Sequence, residues 1–476
     1  MELLTKKDIN KRPPTEKIMQ YGEGNFLRAF IDFFVDQANE KGLINGSIVA
    51  VQPIAQGMGK MINDQNGLYT VVLRGLENKK EVTEKRLVTA LNRCINPYEE
   101  YDLYMENVKN PQLRIIISNT TEAGITYIEG DTLEDKPPAS FPAKVTQFLY
   151  RRFTHFNGDA TKGFIFVACE LIDNSGSKLK EIVLQYAKTW GLEADFIDWI
   201  NNANYFVNTL VDRIVTGYPK DEAEQLWEEL GYKDNLLATA EIFHFFVLEG
   251  EEKNLELLKE EFPLQKISKS IIWTSDATPY KQRKVRLLNG GHTMSVLAAH
   301  LCGKETVGEM MQDPVLSEYL RQGMYNEVIP TLDLSKEDLV SFADSVFDRF
   351  SNPFIKHYLL SIALNSVSKY KARVLPTLLE YQKRKGELPK NITFSLAALI
   401  VFYKGDKAND DTDIIDFFKN VWQETNIETV TQKVLANESF WGLDLNNVPH
   451  LTKTTTENIT NIINNGMVAT IKSIVS

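Results

Sequence analysis

The sequence predicts an α/β protein: a domain of alternating strands and helices over residues 1–275, then a mostly α-helical domain over residues 276–476. Two observations carry this. Before residue 275, apolar runs such as SIVAVQP (47–53), LRIIIS (113–118) and GFIFVACELI (163–172) alternate with segments of helical period, the pattern of βαβ units and a parallel sheet. The runs are continuously apolar rather than alternating, as befits strands covered on both faces. After residue 275 only helix-like segments follow, among them VRLLNGGHTMSVLAAHLCG and TFSLAALIVFYKG. A chain of 476 residues has room for two or three domains.

In order, EKIMQYGEGN (16–25) reads as a strand entering a glycine turn. FLRAFIDFFVDQANEKG (26–42) reads as one helix, apolar almost all round and ended near Gly42, hence buried on more than one side. Residues 68–91 form a hairpin with Glu77, Asn78, Lys79 and Lys80 at its polar tip. Residues 98–110 and 142–156 are helical, and VNTLVDRIV (207–215) reads as a helix with Asn208 and Asp212 at i, i+4 on one face. WTSDATPYKQRK (273–284) is polar, contains Pro279 and marks the hinge.

The formal net charge of −11 argues against nucleic acid, whose phosphates need a basic surface. Cys94, Cys169 and Cys302 lie at no metal or redox spacing, which suggests thiols used as small core residues in a reducing compartment. The N-terminal MELLTKKDINKRPPTEK lacks the apolar core of a signal peptide, and no run approaches the length of a membrane span. A cytoplasmic protein without membrane partners is expected. The six histidines form no HxH or HExxH, so no catalytic metal is expected.

Three places could carry chemistry. GEGNF (22–26) sits where a strand meets a helix. Glycines there let a backbone approach a pyrophosphate, which makes Gly22, Gly24, Asn25 and Phe26 candidates for a dinucleotide. The third glycine of GxGxxG is replaced by Leu27, and the second strand ends at Gln52 where an acid usually holds the ribose, so a plain strand–helix turn reads equally well. SNTTEAG (118–124) follows a strand at the ligand-binding edge of such a sheet. It offers Asn119, Thr120 and Glu122.

The third place is KVRLLNGGHTMS (284–295). On an α-helix Lys284 and Asn289 stand about 140° apart, Asn289 and His292 about 60°, and Lys284 and His292 about 80°. One face can therefore present all three. A desolvated lysine can act as general acid/base, an amide can donate to a developing alkoxide, and an imidazole can orient a hydroxyl. Gly290 and Gly291 leave room for substrate or cofactor. The same spacing also fits a surface lysine, a helix-breaking glycine pair and a core histidine.

Together these pieces resemble the long-chain polyol dehydrogenases, the mannitol dehydrogenase family. The resemblance runs almost end to end. Its catalytic pattern K-x4-N-x2-H stands here as Lys284, Asn289 and His292. Long stretches match its keto-uronate-reducing members: QYGEGNFLRAF, GLYTVVLRGL, SNTTEAGI, ACELID, TLVDRIVTGYP, SNPFIKHYLLSIALN and FSLAALIVFY. The resemblance implies a Rossmann-type domain over 1–275, a helical substrate domain over 276–476 and a site between them. It implies NAD as cofactor and metal-independent hydride transfer with Lys284 as acid/base. It also implies a second asparagine donor after the strand carrying Cys169. There the chain reads ELIDNSG, so Asn174 stands one position off and Ser175 takes the expected place. Arg349 and Lys356 match substrate-facing positions, and their charges suit a uronate carboxylate; Asp212 is a further substrate candidate. The expected partner is a small keto-uronate. Fructuronate reduction, then neutral-polyol or sugar-phosphate chemistry, or a catalytically silent nucleotide-binding regulator, are the alternatives. The oligomeric state stays open, and a monomer is compatible with everything read.

Overall fold

The computed structural model describes residues 1–476 apart from Lys6, Asp8 and the side chain of Glu122. The chain divides into two compact units, one of residues 1–74 and 82–277, the other of residues 75–81 and 278–476.

The first unit holds strands β1 (Glu16–Tyr21), β2 (Ser47–Val51), β3 (Tyr69–Glu77), β4 (Lys80–Val88), β5 (Leu91–Ile95), β6 (Ile115–Ser118), β7 (Ile165–Ala168), β8 (Tyr205–Asp212), β9 (Val215–Gly217), β10 (Ala238–Glu241), β11 (Phe245–Glu249) and β12 (Ile271–Thr274), with the β3–β4 tip counted in the second. Eight of them form one sheet in the order β12-β11-β8-β7-β6-β1-β2-β5. Every pairing in it is parallel except β8 with β11. Neighbouring residues along a strand enter different cores: Ile18, Ala50 and Ile117 one, Met19, Val49 and Ile116 the other. Both faces are covered, which is why these strands carry no polar alternation. Ser140 caps the helix Phe141–His155 by accepting from Ala143 N, with Pro142 in the first turn.

Two sequence expectations fail here for local reasons. The helix expected over 26–42 is two helices, Asn25–Ala29 and Ile31–Glu40, parted at Phe30 with φ −125° and ψ −80°. The carbonyl of Arg28 accepts from the Tyr69 hydroxyl at 3.0 Å and that of Ala29 from Arg213 Nη1 at 2.8 Å. Those oxygens are thus served from other elements, and the helical ladder breaks between them. Residues 207–215, expected to be helical, are β8 and the start of β9. Val207 and Val211 point into the core from a strand held on both sides, by β7 and β11. The even spacing that suggested a helix face also puts Asn208 and Asp212 on one side of a strand. The smaller sheet runs β4-β3-β10-β9, and the β3–β4 turn uses positive φ at Asn78 (52°) and Lys79 (64°), the two-residue hairpin geometry.

Apart from the β3–β4 tip, the second unit contains no named strand among the described residues. At its centre lies Lys390–Phe402, apolar all round and buried almost throughout, packed on Gly290–Leu301 and Leu451–Asn465. Pro389 cannot cap it with a side chain; Glu327 does so from elsewhere, accepting from Asn391 N at 2.7 Å and Ile392 N at 2.8 Å. Burial raises the Glu327 carboxyl to about 7 against these bonds. Among the described residues no helix is long and apolar enough to cross a membrane.

Candidate active site

In the first unit the chain leaves β1 toward β2 on one side, and returns at β6 on the other side of β1. That reversal of strand order opens a crevice at the carboxyl ends of β1 and β6, where open α/β sheets bind ligands. Gly22 stands at its lip with φ +117°. A Cβ there would lie 3.1 Å from the Asn119 carbonyl oxygen and 3.2 Å from Leu27 Cδ1, so only glycine lets the two loops meet. Gly24 is different: nothing lies within 4 Å of where its Cβ would be, so its surroundings are open to a bound molecule. Phe26 stacks on Phe30, centroids 5.0 Å apart, and belongs to the packing. The Asn25 side-chain oxygen accepts from Arg28 Nη2 at 2.5 Å.

Across the crevice, Asn119 Nδ2 donates to the Cys169 carbonyl at 2.7 Å. Thr120 donates to Glu170 Oε1 from its amide at 3.0 Å and its hydroxyl at 3.1 Å. The Glu122 side chain lies outside the described residues. Two buried carboxyls that sequence reasoning passed over support these loops. Glu170 sits behind Thr120, and Glu23 accepts from Met58 N at 3.1 Å. Burial raises both. Both lie inside the quoted GEGNF and ACELID motifs, so the signal was present. Gln52 is not free for a ribose. Its Oε1 accepts from Gly59 N at 3.0 Å, and its Nε2 donates to Ile54 and Ala55 carbonyls.

Asn174 is exposed in the left-handed region at the start of helix Ser175–Thr189. The Ser175 hydroxyl is buried and donates to the Ala168 carbonyl at 2.7 Å, which commits it to the fold. Asp212 closes β8 opposite Phe245.

In the second unit the K-x4-N-x2-H segment is not a plain α-helix. Residues Lys284–Asn289 form a π-helical turn leading into the α-helix Gly290–Leu301. Its i→i+5 bonding widens the turn by one residue. Lys284 and Asn289, about 140° apart on an α-helix, come round to nearly the same side. The face shared with His292 is thus narrower than the sequence expectation. The two glycines do not serve as room for substrate. A Cβ on Gly290 would lie 3.1 Å from the carbonyl oxygen of Arg373 and 3.3 Å from that of Val285. Gly291 faces Met324, Phe350 and Leu320 at 3.5–3.7 Å. Gly290 therefore allows helix Ser366–Arg373 to abut the motif backbone.

His292 stacks on Phe350 with centroids 3.8 Å apart and meets His357 edge-on at 5.3 Å. Its Nδ1 is shut from solvent and has no hydrogen-bond partner among the described residues. Burial pushes its pKa well below the usual value, and the nearby charges of His357, Arg349 and Arg373 push the same way. His357 is lowered too, by burial and by Arg349. The imidazole of His292 is therefore neutral at physiological pH, able to accept or donate but carrying no charge.

Arg349, in the last turn of helix Lys336–Phe350, stands in this cluster. On the same helix, Asp344 accepts from the Tyr325 hydroxyl and Asp348 from Lys79 N. Lys356 stands elsewhere. It is exposed, lies 5.1 Å over the Tyr358 ring, and its charge is felt with Glu305 and Glu309 rather than with the histidines. Arg373 was missed by sequence reasoning; KYKARVLP carries no motif, and only the fold brings it to Thr293, beside His292.

Residues 16–259 match the family described as the mannitol dehydrogenase Rossmann domain, and residues 276–463 match the mannitol dehydrogenase C-terminal domain. An altronate oxidoreductase of Yersinia enterocolitica is 44% identical over 483 residues, covering 99% of each chain. One of Escherichia coli is 44% identical over 479 residues, covering 98% of each. Among solved structures, mannitol 2-dehydrogenase of Pseudomonas fluorescens, in complex with NAD and D-mannitol, superposes with TM-score 0.65 at 22% identity, covering 100% of this chain and 99% of that one. A D-sorbitol dehydrogenase reaches TM-score 0.78 at 23% identity, covering 98% and 100%. These two share the fold.

Proposed function

The chain belongs to the mannitol dehydrogenase family, and from that premise we propose that it is an NAD(H)-dependent oxidoreductase interconverting D-tagaturonate and D-altronate in hexuronate catabolism. The observation that carries this is the 44% identity over nearly the whole chain to proteins named altronate oxidoreductase. The α/β unit fits the cofactor: the crevice lies at the strand-order reversal, with Gly22 forced by a positive φ and Gly24 left open. Gly22, Gly24 and Asn25 would line its pyrophosphate, and the loop of Asn119, Thr120 and Glu122 would face it from β6. NADH held there would supply the hydride for the ketone carbon, and NAD⁺ would accept it in the reverse direction.

The chain's own residues do the rest without a metal. Lys284 gives the carbonyl oxygen its proton in reduction and removes it in oxidation. Asn289, brought near Lys284 by the π turn, donates to that oxygen as it gains charge. His292 is neutral, and its unpartnered Nδ1 is available to a substrate hydroxyl. Arg349 offers a planar fork for the carboxylate. Lys356, over Tyr358, is left out of that grip. Phe26 keeps the glycine turn packed rather than touching the cofactor, and Asn174 is the exposed donor remaining where the loop departs from the family pattern. Asp212 retains no assigned contact with substrate.

The test is turnover of tagaturonate, fructuronate, fructose and fructose 6-phosphate with NADH and with NADPH. Tagaturonate with NADH should give the highest kcat/KM. A neutral ketose winning would return the chain to the polyol-oxidising members. Cofactor binding with no turnover of any of them would favour the silent-regulator reading.

A further inference from the structure

We propose that Arg373 is the specificity-determining residue that selects a carboxylated substrate over a neutral one, gripping the carboxylate beside His292 from the side opposite the motif helix. This rests on the reading of the site as a uronate site and adds a residue to it.

Helix Ser366–Arg373 ends against the motif: Gly290 lacks a side chain where the Arg373 carbonyl approaches. That contact sets the Arg373 side chain next to Thr293, whose hydroxyl lies 3.4 Å from Nη1. Thr293 follows His292 directly and is itself anchored to the Asn289 carbonyl at 2.9 Å. Arg373 thus meets, by backbone and side chain, the residues that directly follow Asn289 and His292.

Its charge is uncompensated. The guanidinium is partly buried, and its recorded partner among the described residues is that single long bond to a hydroxyl; no carboxylate pairs with it. Lys369 stands four residues earlier on the same helix face, its ammonium on the Ile362 carbonyl at 2.9 Å. Like charges at i, i+4 repel, and Arg349 and Arg373 both act on the His292 imidazole. Burying part of a cation without an acid is unfavourable. Holding several together in a chain of net charge −11 makes sense where an anion arrives. His292 Nδ1 has no partner in the same place. A sugar acid brings both a carboxylate for the arginines and a hydroxyl for the imidazole. The bland alternative is that Arg373 merely complements the carbonyl end of its helix. That role would not distinguish substrates.

The test compares Arg373→Leu and Arg373→Lys with the wild type. Tagaturonate, fructose and fructose 6-phosphate are each reduced with NADH. Loss of a charge-assisted bond should raise KM for tagaturonate roughly 10- to 100-fold in Arg373→Leu, with kcat little changed and fructose turnover unaffected or improved. Arg373→Lys should recover part of the loss, since an ammonium keeps the charge but not the fork. Equal losses on tagaturonate and fructose would show a structural role and overturn the proposal, as would an unchanged KM for tagaturonate in a folded variant. If fructose 6-phosphate is the better wild-type substrate and is lost in Arg373→Leu, the group held is a phosphate and the carboxylate assignment falls. Calorimetric binding of a set of aldonates against their neutral alditols, with NAD present, separates the two readings. Aldonate binding that depends on Arg373 upholds the inference even if tagaturonate is not turned over. Aldonate binding that ignores Arg373 overturns it.

Discussion

Alanine at Gly290 and at Gly291 should have opposite effects. Both glycines have ordinary helical backbones; Gly290 has φ −66° and ψ −40°, so alanine is conformationally welcome at each. In open space either change would stabilise the helix by about 0.8–1 kcal/mol. At Gly291 the nearest atoms are side-chain tips at 3.5–3.7 Å, ordinary contact distance, so that gain should be realised. At Gly290 the obstacles are backbone oxygens at 3.1 and 3.3 Å, which cannot rotate aside. Overpacking of this kind costs about 1–3 kcal/mol, which outweighs the helical gain by up to about 2 kcal/mol. A helical unit of this size shifts by roughly 2–4 °C per kcal/mol. Gly291→Ala should therefore raise Tm by a few degrees, and Gly290→Ala should lower it by a few. Relieving the contact also moves Arg373 by tenths of an ångström from Thr293, so KM for the uronate should rise several-fold, since misplacement of about 1 Å costs about 10²-fold. Differential scanning calorimetry and steady-state kinetics read both effects. A Gly290→Ala protein as stable as Gly291→Ala, with unaltered KM, would sink the packing argument.

Lys284→Ala should lower kcat by about 10²–10⁴-fold, the worth of a positioned acid/base, while NADH still binds by fluorescence titration; a kcat within threefold of wild type, with chemistry rate-limiting, would remove Lys284 from the mechanism. NADH should outperform NADPH in kcat/KM, because Gln52 is occupied by its own loop and Lys60, the nearest following cation, is paired with Asp64 at 2.8 Å; parity would refute this. Glu327 makes its own contribution to pH dependence: its folded pKa, about 7, exceeds the ordinary 4.5, so the folded state holds the proton more tightly and this group's contribution to stability grows as pH falls from above 7 to below 4.5. Relative to Glu327→Gln that gain should approach about 3 kcal/mol, and denaturation curves showing the same pH slope in both proteins would contradict it.

The fold was legible where one residue pattern permits one structure. Short apolar runs bounded by turn residues and alternating with helical segments read as covered strands, and both cores draw on them. The tip of the hairpin was legible from its polar run Glu77 to Lys80, and Asn78 and Lys79 there take positive φ. What failed was decided by partners distant in sequence. Nothing in FLRAFIDFF announces that Tyr69 and Arg213 will take the carbonyls of Arg28 and Ala29. Nothing in VNTLVDRIV announces that β11 will pair with it in the opposite direction. A period-two face and a period-four face coincide over five residues, so Asn208 and Asp212 could not choose between strand and helix.

The site was legible to the extent that its chemistry is local in sequence. Lys284, Asn289 and His292 fall within nine positions, so a pattern of residue types was enough to single them out as candidates. Their spacing was read with the wrong helix, because a step of five positions from lysine to asparagine is awkward for 3.6 residues per turn and natural for an i→i+5 turn. The π turn thus brings Lys284 and Asn289 toward one side of the helix. The charge that would hold the other end of the substrate is not local. Lys356 lay in an attractive motif and stands over Tyr358, whereas Arg373 lay in an unremarkable helix end and reaches Thr293 because Gly290 has no side chain to stop it. The first glycine of the Gly-Gly pair, which looked like space left for a ligand, is the contact through which a distant helix delivers a cation to the motif.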